Sequence, residues 1–549
     1  MHSPLSPGRV SYNLQMDAYL LHQLVARQAE RTPTASALSV GDTTLDYLSL
    51  WREIQAFAVS ITHMGLSRND RVGIYLDKRV ETVSAAFGSS AAGCVFVPIN
   101  PILKPDQVRH ILADCNVRLL VTTPERLATL SDVVTGCEDL EHILIVGGQA
   151  AAPALAHIQL YVWRPRYPVP PPSLPAATER DIAAILYTSG STGMPKGVVL
   201  SHRNLIAGAH SVATYLDNRD SDVILAALPL SFDAGFSQLT TAFSVGAHVV
   251  LLNYLMPRDV IKALGQWKIT GMTGVPPLWI QLAAFEWPQE ITQRLRYIAS
   301  TGGRMPKATL ERLREELPAT RVYLMYGLTE AFRATYLPPD DLDARPDSIG
   351  KAIPNNEVFV LREDGSLCAP GEPGELVQRG PMVAMGYWND PVRTAERFRP
   401  LPERLVDSIH VRGLPLPEMA VFSGDTVKTD QEGYLYFVGR RDEMIKTSGY
   451  RVSPMEVEEA AYATDLVQEC CAFGVPHEAM GESIILAISD FKGKGSAAEL
   501  LTKLKLVCPA YMVPAKFVHL GSTLPRNQNG KIDRLAVRVL LTPREEGSQ

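Results

Sequence analysis

The chain has 549 residues, too many for one hydrophobic core, so two or more domains are expected. Its 53 basic and 59 acidic side chains leave a formal charge of −6 and form no long basic stripe, which argues against a dedicated nucleic-acid binder. Seven scattered cysteines, odd in number and without zinc-ligand spacing, imply reduced thiols in a cytoplasmic protein. With no signal-peptide pattern and no run of about 18 apolar residues, no membrane span is expected.

Residues 1–15 read as a loose arm. Residues 18–31 carry helical periodicity, with Leu20, Leu21, Leu24 and Val25 on one face. A hairpin is expected over 35–40 and 43–47, then a helix over 51–64 and a strand over 71–75. A helix over 80–93 feeds a buried strand at 94–99. Helix 107–114 and strands 117–122 and 143–146 continue the alternation, which predicts a parallel sheet flanked by helices. Residues 153–177 are proline-rich and read as a surface connection.

That connection leads into residues 186–200, LYTSGSTGMPKGVVL, a polar loop between two apolar runs. Gly190, Gly193 and Gly197 let the backbone turn sharply and approach a ligand. With Thr188, Ser189, Ser191, Thr192 and Lys196, they suit a polyphosphate. The spacing is not that of the Walker loop.

Beyond it come a helix over 203–216, a strand over 223–229 and the segment 231–238, SFDAGFSQ, with Phe232, Asp233 and Gly235. Asp233 suits either a substrate ammonium or a place at a helix start or loop. Residues 298–305 (IASTGGRM) and 324–330 (LMYGLTE) are strand-and-turn segments, and a strand is expected over 433–437. After Asp442 the pattern changes to a compact α/β unit of about a hundred residues.

YTSGSTGMPKG closely resembles the phosphate-loop signature of the AMP-forming adenylating enzymes: acyl-CoA synthetases, adenylation domains of nonribosomal peptide synthetases, and luciferases. YGLTE, SGDTVKTD, GRRD, KTSGYRVSP and LPRNQNGKID match further motifs of that family in order, across most of the chain. The resemblance implies that Gly302 and Gly303 abut the adenine, that Tyr326 packs on it beside Gly327, and that Thr329 meets the α-phosphate. It implies that Glu330 helps hold Mg²⁺, that Asp425 and Arg440 hold the ribose, and that Lys531 is the catalytic lysine. It further implies a hinge at Asp442, a thiol tunnel at Gly449, a phosphate contact for Arg451, and an acid pocket at Phe232, Asp233 and Gly235.

The fold implied is α/β. A large N-terminal domain (1–441) of parallel-rich sheets flanked by helices carries a β-barrel-like subdomain. A small, mobile C-terminal α+β domain (442–549) follows. The function implied is activation of a carboxylic acid with ATP and Mg²⁺, then transfer to coenzyme A. A stand-alone amino-acid adenylating enzyme loading the phosphopantetheine of a separate carrier protein is the alternative. Residues 227–277, with MYGLTEAFRATYLPP and GRRDEMIKTSGYRVSPMEVEEA, resemble the acyl-CoA ligases of exosortase A systems, which leaves the acid undefined.

Overall fold

The computed structural model describes residues 18–148, 158–164, 177–188, 195–408, 417–440, 443–447, 450–477, 481–493, 495–527 and 530–541. A nine-stranded sheet runs in the order Lys351–Ala352, Thr335–Leu337, Arg321–Tyr326, Tyr297–Ser300, Gly271–Gly274, Val223–Ala226, His248–Leu251, Ser36–Val40, Thr43–Asp46. Its six inner strands are parallel. An eight-stranded sheet runs Gly386–Tyr387, Lys196–Ser201, Ile182–Thr188, Val95–Pro98, Arg71–Ile74, Val117–Thr122, His142–Ile145, Gln159–Val162. Its last six strands are parallel and its first two antiparallel.

The main core lies between these sheets, around helices Tyr47–His63, Val80–Ala91, His202–Tyr215 and Asp233–Val245. Every residue from Thr82 to Ala91 is buried, so that helix has no polar face to water. A methyl group on Gly88 would sit 2.7 Å from Phe57 Cδ1 and 2.9 Å from the Ile54 carbonyl oxygen. The missing side chain is what lets two helices cross so closely. Two further cores cover the outer faces of the sheets, one under helices Pro257–Gln266 and Lys307–Glu316, the other under Pro105–Asp114 and Pro124–Val134.

A third sheet is antiparallel and built on the long strand Met419–Thr429, which pairs with Gly374–Arg379, Phe398–Pro400 and Leu435–Arg440. Glu357–Leu361 completes it, pairing with Gly374–Arg379. The small C-terminal domain has its own five-stranded sheet and its own core under helices Pro454–Ala463 and Ala497–Val507. All seven cysteines are free thiols, and among the described residues no helix is long and apolar enough to cross a membrane.

Several elements differ from the sequence expectation. Within the expected connection 153–177, Gln159–Val162 is an edge strand, mostly exposed, paired in parallel with His142–Ile145. Flanking prolines mask so short a strand. The helix expected over 51–64 begins at Tyr47, because the Asp46 carboxylate caps it, accepting from the Ser49 N–H at 2.7 Å. The helix expected from residue 18 begins at Gln23. The strand expected to end at Phe437 continues to Arg440.

Candidate active site

Parallel strands Tyr297–Ser300 and Arg321–Tyr326 end together, and ligands favour the carboxyl ends of such strands. There a cavity of about 520 Å³ opens between the large and small domains. Among the described residues its wall carries seven basic side chains and five acidic ones. In a chain of net negative charge, that local excess favours an anionic ligand.

One cluster is centred on Glu330, in the short 3₁₀ turn Thr329–Ala331. Its Oε1 accepts from Lys196 Nζ at 3.1 Å and from the Tyr387 hydroxyl at 2.6 Å. Lys196 also donates to that hydroxyl at 2.8 Å, with its ammonium 4.2 Å from the centre of the ring. The cluster exists because Lys196 opens strand Lys196–Ser201, and Tyr387 lies on the neighbouring strand, opposite Val198. Burial lowers the Lys196 pKa, and Glu330 only partly offsets this. Burial pushes the Glu330 carboxyl up, but Lys196 and the Tyr387 hydroxyl outweigh it and hold the group below the usual range. Thr188 Oγ1 is buried at the same wall with no hydrogen-bond partner among the described residues.

A second cluster is centred on Asp425. Cross-strand register sets Asp425 opposite Arg440, whose Nε donates to Oδ1 at 3.2 Å. The Tyr326 hydroxyl, at the end of its strand, donates to Oδ2. The Ser423 hydroxyl accepts from the Asp425 N–H at 3.0 Å. Burial raises the Asp425 pKa despite Arg440.

Lys531 comes from the small domain. It is presented by a turn in which Gly530, at φ +74°, donates to the Asn527 carbonyl and the Lys531 N–H meets Asn527 Oδ1 at 3.1 Å. The side chain keeps accessible surface and lines the cavity. Burial and then Arg440 lower its pKa, against Asp233, Asp425 and Glu443, which raise it. A methyl group on Gly302, itself at φ +80°, would lie 3.4 Å from Lys531 Cε.

The other end of the cavity is more apolar, with Leu228, Phe232, Val275 and Leu324. Asp233 is the first residue of helix Asp233–Val245, where negative charge meets the helix dipole favourably; Phe232, not Asp233, is the cap. Its Oδ2 accepts from Arg333 Nη1 at 3.3 Å. Gly235 does not line the cavity. A methyl there would sit 1.8 Å from the Pro229 carbonyl oxygen, so this glycine serves the packing of the helix start against the chain.

A family model described as "AMP-binding enzyme" matches residues 25–388, and one described as "AMP-binding enzyme C-terminal domain" matches residues 456–531. The chain belongs to the AMP-binding enzyme family. It is 30% identical to a linear gramicidin synthase polypeptide of Brevibacillus parabrevis over 94% of this chain, but spans only 10% of that protein. It is 29% identical to a long-chain-fatty-acid–CoA ligase of Escherichia coli O157:H7, over 97% of this chain and 96% of the ligase. The crystal structure of the anthranilate CoA ligase AuaEII with anthranoyl-AMP superposes with a TM-score of 0.80 at 25% identity, covering 95% of this chain and 97% of that one.

Within this AMP-binding enzyme the cavity brings together Thr188, Lys196, Phe232, Asp233, Gly302, Gly303, Tyr326, Gly327, Thr329, Glu330, Asp425, Arg440 and Lys531. Ser189, Gly190, Ser191, Thr192, Gly193, Asp442 and Gly449 lie outside the described residues. Arg451 lies on strand Tyr450–Val452. The sequence reading missed Tyr387, Arg333 and Arg397. Arg397 lines the cavity and donates to the Phe422 carbonyl at 3.2 Å. Only Arg333 stands close to a motif, three residues after Glu330; nothing in the local pattern marks the other two.

Proposed function

We propose that this AMP-binding enzyme joins a carboxylic acid to AMP, releasing pyrophosphate from ATP, and then passes the acyl group to a thiol, coenzyme A by preference. The observation that carries the reading is convergence. Lys531 from the small domain faces the same cavity as the Glu330–Lys196–Tyr387 and Tyr326–Asp425–Arg440 clusters of the large one.

A carboxylate is a poor acyl donor because its leaving group would be oxide. Attack of a carboxylate oxygen on the α-phosphorus forms the new P–O bond, breaks the bond to pyrophosphate and yields a mixed anhydride with AMP as leaving group. Two anions must meet, so fixed positive charge is the main requirement. Lys531 bridges the incoming carboxylate and the α-phosphate; Lys196, Thr188 and residues 189–193 take the outer phosphates. Tyr326 stacks on the adenine against the turn at Gly302 and Gly303, and Asp425 with Arg440 receives the ribose. Thr329 meets the α-phosphate.

Magnesium takes carboxylate and phosphate oxygens and needs few protein ligands, so Glu330, one oxygen of which has no side-chain partner among the described residues, and the unpartnered Thr188 hydroxyl fit it. When bound it supplies neutralisation of phosphate charge. The thiol then attacks the acyl carbon, forming the thioester and releasing AMP. For that step the small domain turns about Asp442, carrying Lys531 away and bringing Gly449 and Arg451 toward the site. The boundary of the domains at 441/442 belongs to this proposal.

The near-complete span of the fatty-acid ligase supports coenzyme A as acceptor and a cytoplasmic setting. The partial match within gramicidin synthase supports a carrier-protein thiol instead. The Asp233–Arg333 pair weighs against an amino acid, since the carboxylate is already neutralised. Acid-dependent ATP–pyrophosphate exchange with AMP as product tests the reading. Lys531→Ala should lower it at least a hundredfold while thioester formation from supplied acyl-AMP persists. Asp442→Pro should slow the thiol step more than adenylation. ADP as product, or normal exchange in Lys531→Ala, overturns the assignment.

A further inference from the structure

Arg333 is a guanidinium buried where adenylation itself gives it nothing to do. It is 2% exposed and lines the apolar end of the cavity. Nη1 donates to Asp233 Oδ2 at 3.3 Å and to the Phe332 carbonyl at 3.2 Å. Nε is fully buried and has no partner among the described residues, and neither does the Ser300 hydroxyl, which lines the same cavity. A buried polar hydrogen left unbonded is costly, and native proteins keep few without a reason.

The segment that holds Arg333 is built for it. Phe332 adopts φ +61°, a backbone state that bulky residues rarely enter. Gly208 makes room for its ring: a methyl there would be 2.4 Å from Phe332 Cε1. A methyl on Gly327 would lie 2.8 Å from the Phe332 carbonyl oxygen. Gln378, wholly buried, fixes the turn by donating to the carbonyls of Ala331 at 3.2 Å and Arg333 at 2.9 Å. Strain held in place by three separate supports is the pattern of a functional position.

The charges narrow what this position can take. Asp233 and Arg333 cancel, so a substrate ammonium would meet an uncompensated guanidinium and a second substrate carboxylate an uncompensated Asp233. An all-carbon chain would offer the guanidinium no acceptor. A neutral group that both accepts and donates satisfies Arg333 and the second oxygen of Asp233 together.

We propose that the acid pocket selects a carboxylic acid bearing a neutral hydrogen-bonding group, a hydroxyl foremost, and that Arg333, held by Asp233, is the residue that reads it. This rests on the adenylation reading above. The test is ATP–pyrophosphate exchange by the full chain with sets of acids matched in carbon skeleton, aliphatic and aromatic: unsubstituted, hydroxy at each position, amino, and dicarboxylic. The best hydroxy acid should exceed its unsubstituted match roughly 10- to 100-fold in kcat/KM, with amino and dicarboxylic acids below both. Arg333→Met should erase that preference and leave the KM for ATP unchanged. Asp233→Asn, which only removes charge, should raise the dicarboxylic acid against the others by about tenfold. Preference for the unsubstituted, amino or dicarboxylic acid overturns the proposal but leaves adenylation standing, and so does an Arg333→Met loss equal across all acids. Absence of exchange with every acid overturns both.

Discussion

The two ends of the cavity are built on opposite terms. At the nucleotide end each central carboxylate has two side-chain partners: Glu330 holds Lys196 and Tyr387, and Asp425 holds Tyr326 and Arg440. At the acid end Asp233 has one, and Arg333 Nε has none among the described residues; at the nucleotide end the Thr188 hydroxyl is likewise unpartnered among them. A satisfied network fixes its members for a ligand that never changes. On the proposal above, the single side-chain partner of Asp233 leaves the acid to complete the set, and the acid end is where one substrate is told from another. Substitutions at the nucleotide end should therefore act alike on every acid, and those at the acid end should sort the acids.

The largest effect is expected for Glu330→Ala. It removes the carboxylate and leaves the Lys196 ammonium buried beside a tyrosine alone. Loss of one preorganised electrostatic group costs roughly 3 kcal/mol in the transition state, about two hundredfold in kcat. A magnesium titration of pyrophosphate exchange checks it, and the same loss is expected with every acid. Asp425→Ala comes next. Arg440 is half exposed and recovers some hydration, so about 2 kcal/mol is expected, read as a rise of roughly thirtyfold in the KM for ATP. Tyr326→Phe deletes one hydroxyl and keeps the ring; about 1 kcal/mol, or fivefold in KM, follows. An acid-dependent spread in any of these would dissolve the distinction between the two ends.

How much was readable from sequence follows the same division. The nucleotide end is made of short contiguous runs, because a fixed ligand is met by backbone turns and the few residues beside them. Thus Tyr326, Thr329 and Glu330 sit in one strand-to-turn segment. The alternation of strands and helices likewise gave the parallel sheets, since buried parallel strands are unbroken apolar runs. Partners brought in by pairing were not readable: Tyr387 reaches Glu330 only because its strand lies beside Lys196–Ser201. Arg440 was readable as a residue, but not its register opposite Asp425, since the strand runs three residues past its expected end. Asp233 was visible and its partner was not. A carboxylate a hundred residues from its guanidinium reads as free, open to a substrate amine or to a helix start, and the sequence does not show that it pairs with Arg333.

The smallest expected effect separates the two carboxylates of the nucleotide end by pH. Burial raises the Asp425 pKa, while Glu330, despite burial, is held below its usual range by Lys196 and Tyr387. On acidification Asp425 therefore takes its proton before Glu330 does. A carboxyl with a raised folded-state pKa takes its proton in the folded chain before the unfolded one, so this titration by itself adds to stability as the pH falls. It also strips the charge that Tyr326 and Arg440 hold. The KM for ATP should rise about threefold as that proton is taken up, with no matching fall in Tm from this group. Asp425→Asn should start at the higher KM and stay flat. If the variant kept the wild-type slope, the titrating group would lie elsewhere. If the slope appeared with some acids and not others, the acid end would be acting on the nucleotide end, and the two could no longer be treated as separate.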